Sequence, residues 1–192
     1  CTSLAEEPSE DEASTCPSES DKPKSKRGKA TNQVVLKGQN ITCYGENFKE
    51  FLEAEKEAPI LLVTELHLKG AGIRKSRQHA EAHQWRAFMA PATSTGGGAR
   101  QAAGGGGGFV KNHVQLAQHT LGGSPERGQL PGTGNDWTVI ALRMRKATIL
   151  VAVAYFTCGV GARGVNVVKF NQLRRYLLLD GRPFLLFADW NM

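Results

Sequence analysis

Two stretches of this chain, Ile60-Leu61-Leu62-Val63 and Phe184-Leu185-Leu186-Phe187-Ala188, are apolar at every position. A strand with one face in water alternates apolar and polar side chains, so unbroken runs of this kind are strands covered on both faces. Covering both faces of a sheet takes further layers, which points to an α/β architecture. Other strands are expected over residues 34–40, 109–118, 137–144 and 148–155. Helical spacing of apolar residues predicts helices over 46–57 (Phe48, Phe51, Leu52), 76–89 (Ala80, Trp85, Phe88) and 167–179 (Phe170, Leu173, Leu177, Leu178). Residues 91–108 are small and dominated by Gly96–Gly98 and Gly104–Gly108, and read as a flexible loop giving slack before a strand. The resulting order is strand, helix, strand, helix, three strands, helix, strand, with the middle strands antiparallel.

Composition narrows the class. Residues 1–32 are rich in Ser, Glu, Pro and Lys and hold almost no large apolar group, so they read as a disordered tail ahead of a folded part over 33–192. The tail is acidic first and basic after, with Lys22, Lys24, Lys26, Arg27 and Lys29 close together. That cluster is the feature that suggests a nuclear protein. From residue 30 on, 19 Lys and Arg stand against 11 Asp and Glu, a balance suited to a polyanionic partner. The four cysteines are too sparse for a disulfide scaffold and lack zinc-like spacing, so they read as reduced thiols in an intracellular protein. No apolar run is long enough to span a membrane. The chain opens on Cys1 and stops at Met192, and reads as truncated at both ends.

Chemistry is expected at the strand ends. Asn40 follows the first strand, Glu65 the second, Tyr155 ends another, and Asp189 and Asn191 follow the last. Open α/β sheets gather ligand sites beyond their strand ends. Hard-oxygen donors of this kind suit magnesium, which needs one or two carboxylates and keeps waters. Taken singly, an Asp or Asn after a strand is more often a turn former than a ligand. The helical pair His79 and His83, four apart, has no third ligand near it in sequence and reads as a solvated helix face, while His113 and His119 read as strand-edge residues. The glycine run lacks the Lys-Ser/Thr of a phosphate-binding loop.

Five motifs occurring in order carry a resemblance. Thr64-Glu65-Leu66-His67-Leu68 after its apolar strand resembles the Gln-Glu-Thr-His-Leu motif of the endonuclease/exonuclease/phosphatase superfamily. Ala188-Asp189-Trp190-Asn191 resembles that family's Gly-Asp-Phe-Asn motif. Gly106-Gly107-Gly108-Phe109-Val110 is similar to its Gly-Gly-hydrophobic strand, the run ending at Tyr155 to its active-site Tyr strand, and Asn40 stands where the family has its first Asn. The relatives of this pattern include apurinic/apyrimidinic endonucleases, deoxyribonuclease I and the endonuclease domains of non-LTR retrotransposons. Thr64, Thr157, Ala188 and Trp190 depart from the pattern at supporting positions.

The resemblance implies a two-sheet α/β sandwich of the deoxyribonuclease I-like type, here about its first half. It implies a magnesium-dependent phosphodiesterase acting on nucleic acid, DNA before RNA, with manganese as a substitute ion. Glu65 would be the main metal-ligating carboxylate, assisted by Asn40. Tyr155 would bond the scissile phosphate, Asp189 would position or deprotonate the attacking water, and Asn191 would stabilise charge on a phosphate oxygen. The family's later Asp and its Ser-Asp-His motif have no counterpart before Met192, so this chain is expected to be incomplete and inactive by itself. Two other readings stand beside this one: a non-catalytic relic or binding module of the same fold, and an inositol or lipid phosphatase sharing the metal site.

Overall fold

The computed structural model describes residues 33–94, 102–119 and 133–190. The expected tail over 1–32 lies outside the described residues, as does Asn191. In chain order the elements are β1 (Leu36–Asn40), α1 (Glu46–Ala54), β2 (Ile60–Thr64), α2 (Gly70–Ala82), β3 (Trp85–Met89), β4 (Thr93–Ser94), β5 (Ala102–Ala103), β6 (Gly106–Lys111), β7 (Thr133–Gly134), β8 (Trp137–Arg143), β9 (Thr148–Tyr155), α3 (Gly164–Asp180) and β10 (Phe184–Asp189). Two four-stranded sheets result, ordered β1-β2-β6-β3 and β10-β9-β8-β7. A short β4-β5 ribbon stands beside them.

Of the two unbroken apolar strands, β2 behaves as its composition requires and β10 does not: as the edge strand of its sheet it leaves Phe184 and Leu185 exposed and its other four positions half-buried. β2 is buried at all five positions. Leu61 and Val63 face α1 and α2 in a cluster with Phe48, Leu52, Ala80, Trp85 and Phe109. Ile60 and Leu62 face the second sheet, meeting Val110, Ile140, Leu142, Val151 and Val153. On the far side of the second sheet, Val139, Ala141, Leu150, Ala152 and Ala154 lie under Leu173 and Leu177 of α3. The layers therefore run helix, sheet, sheet, helix, a deoxyribonuclease I-like two-sheet α/β arrangement.

Parallel pairing is confined to one edge of each sheet. β1 runs parallel to β2 through α1, and β9 parallel to β10 through α3. The middle pairs β2-β6, β3-β6 and β8-β9 are antiparallel. Register sets Asn40 opposite Thr64 and Asp189 opposite Tyr155, so both parallel pairs end on polar groups.

Three expectations fail for identifiable reasons. The helix expected over 76–89 is the end of α2 followed by β3, separated at Gln84, whose φ is +64°. Trp85, Ala87 and Met89 are buried and alternate with half-buried neighbours, a period of two that the helical reading missed. The apolar side expected for α3 included Phe170 and Leu178, which are exposed, whereas the buried side carries Asn166 and Lys169 beside Leu173 and Leu177. The strand expected over 109–118 ends at Lys111 and gives way to a turn at His113.

Of the glycines expected to form slack, Gly96–Gly98 lie outside the described residues and Gly104–Gly108 are not slack. Gly106, Gly107 and Gly108 are buried strand residues. A Cβ on Gly108 would lie 2.0 Å from the Ile140 side chain, so the missing side chain is what lets the two sheets approach there. Gly104 has φ +83°, and a Cβ on it would lie 2.3 Å from the Tyr155 ring and 2.8 Å from Asp136 Oδ1. Both the dihedral and the contact require glycine.

Glu55, just past α1, is tied to β1. Its carboxylate accepts from Lys37 Nζ at 2.8 Å and from the Glu57 and Ala58 amides at 2.9 and 3.0 Å. The Lys37 bond foremost, with the two amides, holds its carboxyl down at about 2 from 4.5. A lowered folded-state value stabilises the fold above the unfolded value, and that stability is lost as pH falls through the folded value. Between pH 4.5 and about 2, the wild-type protein should therefore lose stability more steeply than Glu55→Gln, as read from denaturant midpoints across pH. Gly104→Ala should cost about 2 kcal/mol or more, from the left-handed strain and the ring contact together, measured by urea unfolding.

Candidate active site at the joined strand ends

The ends of the two parallel pairs come together. Asn40 Nδ2 donates to Asp189 Oδ2 at 2.8 Å, joining the edge strand of one sheet to the edge strand of the other. Asn40 Oδ1 accepts from the Thr42 amide at 3.1 Å, which fixes the orientation of its side-chain amide. Tyr155 pairs with Asp189 in register, and its hydroxyl is raised above its ordinary range. Burial is the largest cause, followed by the negative charges of Glu65 and Asp189. Asn40, Glu65, Tyr155 and Asp189 are thus one constellation, while Asn191 lies outside the described residues.

Glu65 sits on a strained turn. Its φ is +61°, the left-handed region that side chains rarely adopt, and His67 follows at +53°. The turn is clamped from behind. The Leu66 and His67 amides donate to the carbonyls of Gly105 and Gly104 at 3.3 and 2.9 Å, and the Tyr44 amide donates to Leu66 O at 3.1 Å. Strain held this firmly is a usual mark of a functional position. The glycines that sequence reading treats as slack therefore position the carboxylate.

Asp136 was not singled out from the sequence. It is fully buried, accepts from Gly105 N at 2.8 Å, Thr93 N at 3.1 Å and the Thr93 hydroxyl, and pairs with Lys169 Nζ at 2.5 Å. Its backbone carbonyl accepts from the Tyr155 amide at 2.9 Å. Lys169 also donates to Thr157 Oγ1 at 3.0 Å, and buried Asn166 holds Thr157 and Gly161 through three bonds of 2.8–3.0 Å. The polar side of α3 thus secures the segment that follows Tyr155. An Asn-Asp turn before an apolar strand, at residues 135–136, is the signal that could have been read.

The donor set suits a hard cation. Glu65, Asn40 and Asp189 offer only oxygen for coordination, and the Glu65 side chain is half-buried. The buried Thr64 hydroxyl one residue away lacks a partner among the described residues. Beside Asn40 opens a groove of about 680 Å³ lined by Gln39, Thr42, Cys43, Glu46 and Asn47, among others. On the other side Trp190, 44% exposed, stacks on Phe156 at 4.7 Å with planes 11° apart. No helix among the described residues is long and apolar enough to cross a membrane.

A solved structure shares this fold. The endonuclease domain of TRAS1, a telomere-specific non-LTR retrotransposon, matches with a TM-score of 0.52 at 17% identity. The match covers 83% of this chain and 59% of that domain, so this chain spans less than two thirds of its neighbour's length. The human Nocturnin catalytic domain matches with a TM-score of 0.44 at 14% identity, covering 77% of this chain and 58% of that one. No protein-family model matches the chain, and no curated protein does.

Removing the counter-charge of buried Asp136 should be costly. Lys169→Met is expected to destabilise by about 3–5 kcal/mol, and adding Asp136→Asn should recover part of that loss, measured as a double-mutant cycle by urea unfolding.

Proposed function

From the deoxyribonuclease I-like fold of the preceding comparison, we propose that this chain carries the metal-binding face of a magnesium-dependent nuclease that hydrolyses DNA phosphodiesters. The observation that carries the reading is the Asn40–Asp189 bond across the two sheets, with Glu65 and Asp189 both acting on Tyr155. Glu65, assisted by Asn40, would hold the ion, with manganese able to replace magnesium. When bound, the ion supplies positive charge against a phosphate oxygen and the leaving oxygen. Tyr155, kept protonated by burial and by its acidic neighbours, donates a hydrogen bond to a phosphate oxygen. Asp189, oriented by Asn40 Nδ2, positions the attacking water and takes its proton. Asn191 is assigned the stabilisation of a second phosphate oxygen. Exposed Trp190, next to Asp189, offers a face on which a nucleobase can stack. The excess of Lys and Arg from residue 30 on favours a polyanion over a small phosphate ester.

Substitution separates this reading from its rivals. Glu65→Gln should abolish manganese-induced relaxation broadening of nuclear magnetic resonances around Asn40 and Asp189. Assayed within a longer protein that supplies the remaining family motifs, the same substitution should reduce magnesium-dependent nicking of supercoiled plasmid by about 100-fold or more. Wild-type nicking in the Glu65→Gln protein removes the site assignment. Metal and DNA binding without nicking makes the chain a binding module, and turnover of inositol phosphates without nicking makes it a phosphatase.

A further inference from the structure

A second group of ligating side chains lies on the outer helices, away from the strand ends. His79 and His83 stand one turn apart on α2 and its C-terminal cap. The third ligand that the local sequence lacks comes from α1, where Glu53 Oε1 lies 3.4 Å from His79 Nε2 and 3.2 Å from His83 Nε2. One ligand atom from each of the three lies within 4.8 Å of the others. With metal–nitrogen and metal–oxygen bonds of about 2.0–2.2 Å, the edge of a tetrahedral zinc site is about 3.3–3.5 Å. The His79 separation of 3.4 Å falls on that edge and the His83 separation of 3.2 Å just below it.

The surroundings of His79 favour the same outcome. Tyr44 Oη lies 3.3 Å from the Ser76 carbonyl and 3.2 Å from His79 Nδ1. A carbonyl only accepts, so the phenol donates to Ser76, and His79 Nδ1–H then donates to the phenol oxygen. This chain of bonds leaves the lone pair of His79 on Nε2, facing Glu53. A second shell that binds one ring nitrogen and frees the other is how metal-ligating histidines are oriented. In that tautomer His79 Nε2 offers no proton to the Glu53 carboxylate beside it, and a cation held among His79, His83 and Glu53 would satisfy all three.

We propose that Glu53, His79 and His83 bind one borderline transition-metal ion, zinc before nickel or copper, clipping α1 to α2. Two imidazoles with one carboxylate select against magnesium and calcium, which take all-oxygen sites. Three protein ligands leave a fourth position for water. The site differs in donor chemistry and in residues from the Glu65 constellation, so each stands or falls without the other.

Zinc chloride titrated into the full chain at neutral pH, against a competing chelator, tests the proposal directly. One zinc per chain is expected, with the His79 and His83 Nε2 resonances shifting on binding. The cobalt-substituted protein should lack a thiolate charge-transfer band, which would exclude the exposed Cys43 and Cys158 as ligands. Glu53→Gln, His79→Gln and His83→Gln should each weaken zinc binding at least tenfold while leaving the metal-free circular dichroism unchanged. A loss below tenfold in any of the three overturns the three-ligand site. So does a site abolished only by replacing the cysteines.

Discussion

The buried carboxylate of Asp136 is the junction on which the rest of this structure depends. It reaches four separate stretches of chain: Thr93 after β3, Gly105 before β6, Lys169 on α3 and, through its carbonyl, Tyr155 at the end of β9. A buried anion with fewer partners would be an unfavourable residue to keep, because its lost hydration would go uncompensated. With them, it converts the requirement for partners into a geometric constraint. Gly105 and Gly104 are held where their carbonyls meet the Leu66 and His67 amides, and this forces Glu65 into its left-handed conformation. Asp136 therefore holds Tyr155 through its backbone carbonyl and Glu65 at one remove through its carboxylate.

Sequence reading finds what depends on local pattern and misses what depends on partners. The strands at 60–64, 137–143, 148–155 and 184–189 are legible because apolar runs leave little other choice. The polar groups at their ends are legible because strand ends are where open sheets expose side chains. Asp136, Lys169 and Asn166 are not legible in this way. A charged residue on a helix looks solvated until the structure supplies a buried counter-charge, and Lys169 has a side-chain exposure of only 9%. The expected apolar side of α3 was wrong for that reason. Phe170 and Leu178 are apolar but exposed, and the buried face is chosen by Asn166 and Lys169, whose partners lie elsewhere in the chain.

Glycine shows the same limit from the other direction. A run such as Gly104–Gly108 has the composition of a loop. Its conformation, however, is set by what a side chain would strike: Tyr155 and Asp136 at Gly104, Ile140 at Gly108. Composition cannot distinguish a segment free to move from one packed too closely to carry a Cβ. The distinction appears only when a second sheet lies against it. The histidine pair of α2 was read as solvated on similar grounds, because its third neighbour comes from α1, 26 residues before His79.

The two strand-end pairs belong to different sheets, and this makes the candidate site sensitive to how the sheets pack. Asn40 is on β1 and Asp189 on β10, each an edge strand. Two residues before Asn40, a Cβ on Gly38 would lie 2.3 Å from the ring of Phe187, itself two residues before Asp189. Side chains two apart on a strand share a face. The packing of Phe187 against Gly38 therefore lies on the same faces as the polar pair and sets how closely the edges approach. A bulkier residue at 38 would separate the edges and lengthen the Asn40–Asp189 bond while leaving Glu65 on its glycine clamp. The acidic groups are thus positioned by two independent devices, the polar junction at Asp136 for Glu65 and Tyr155, and apolar sheet packing for Asp189.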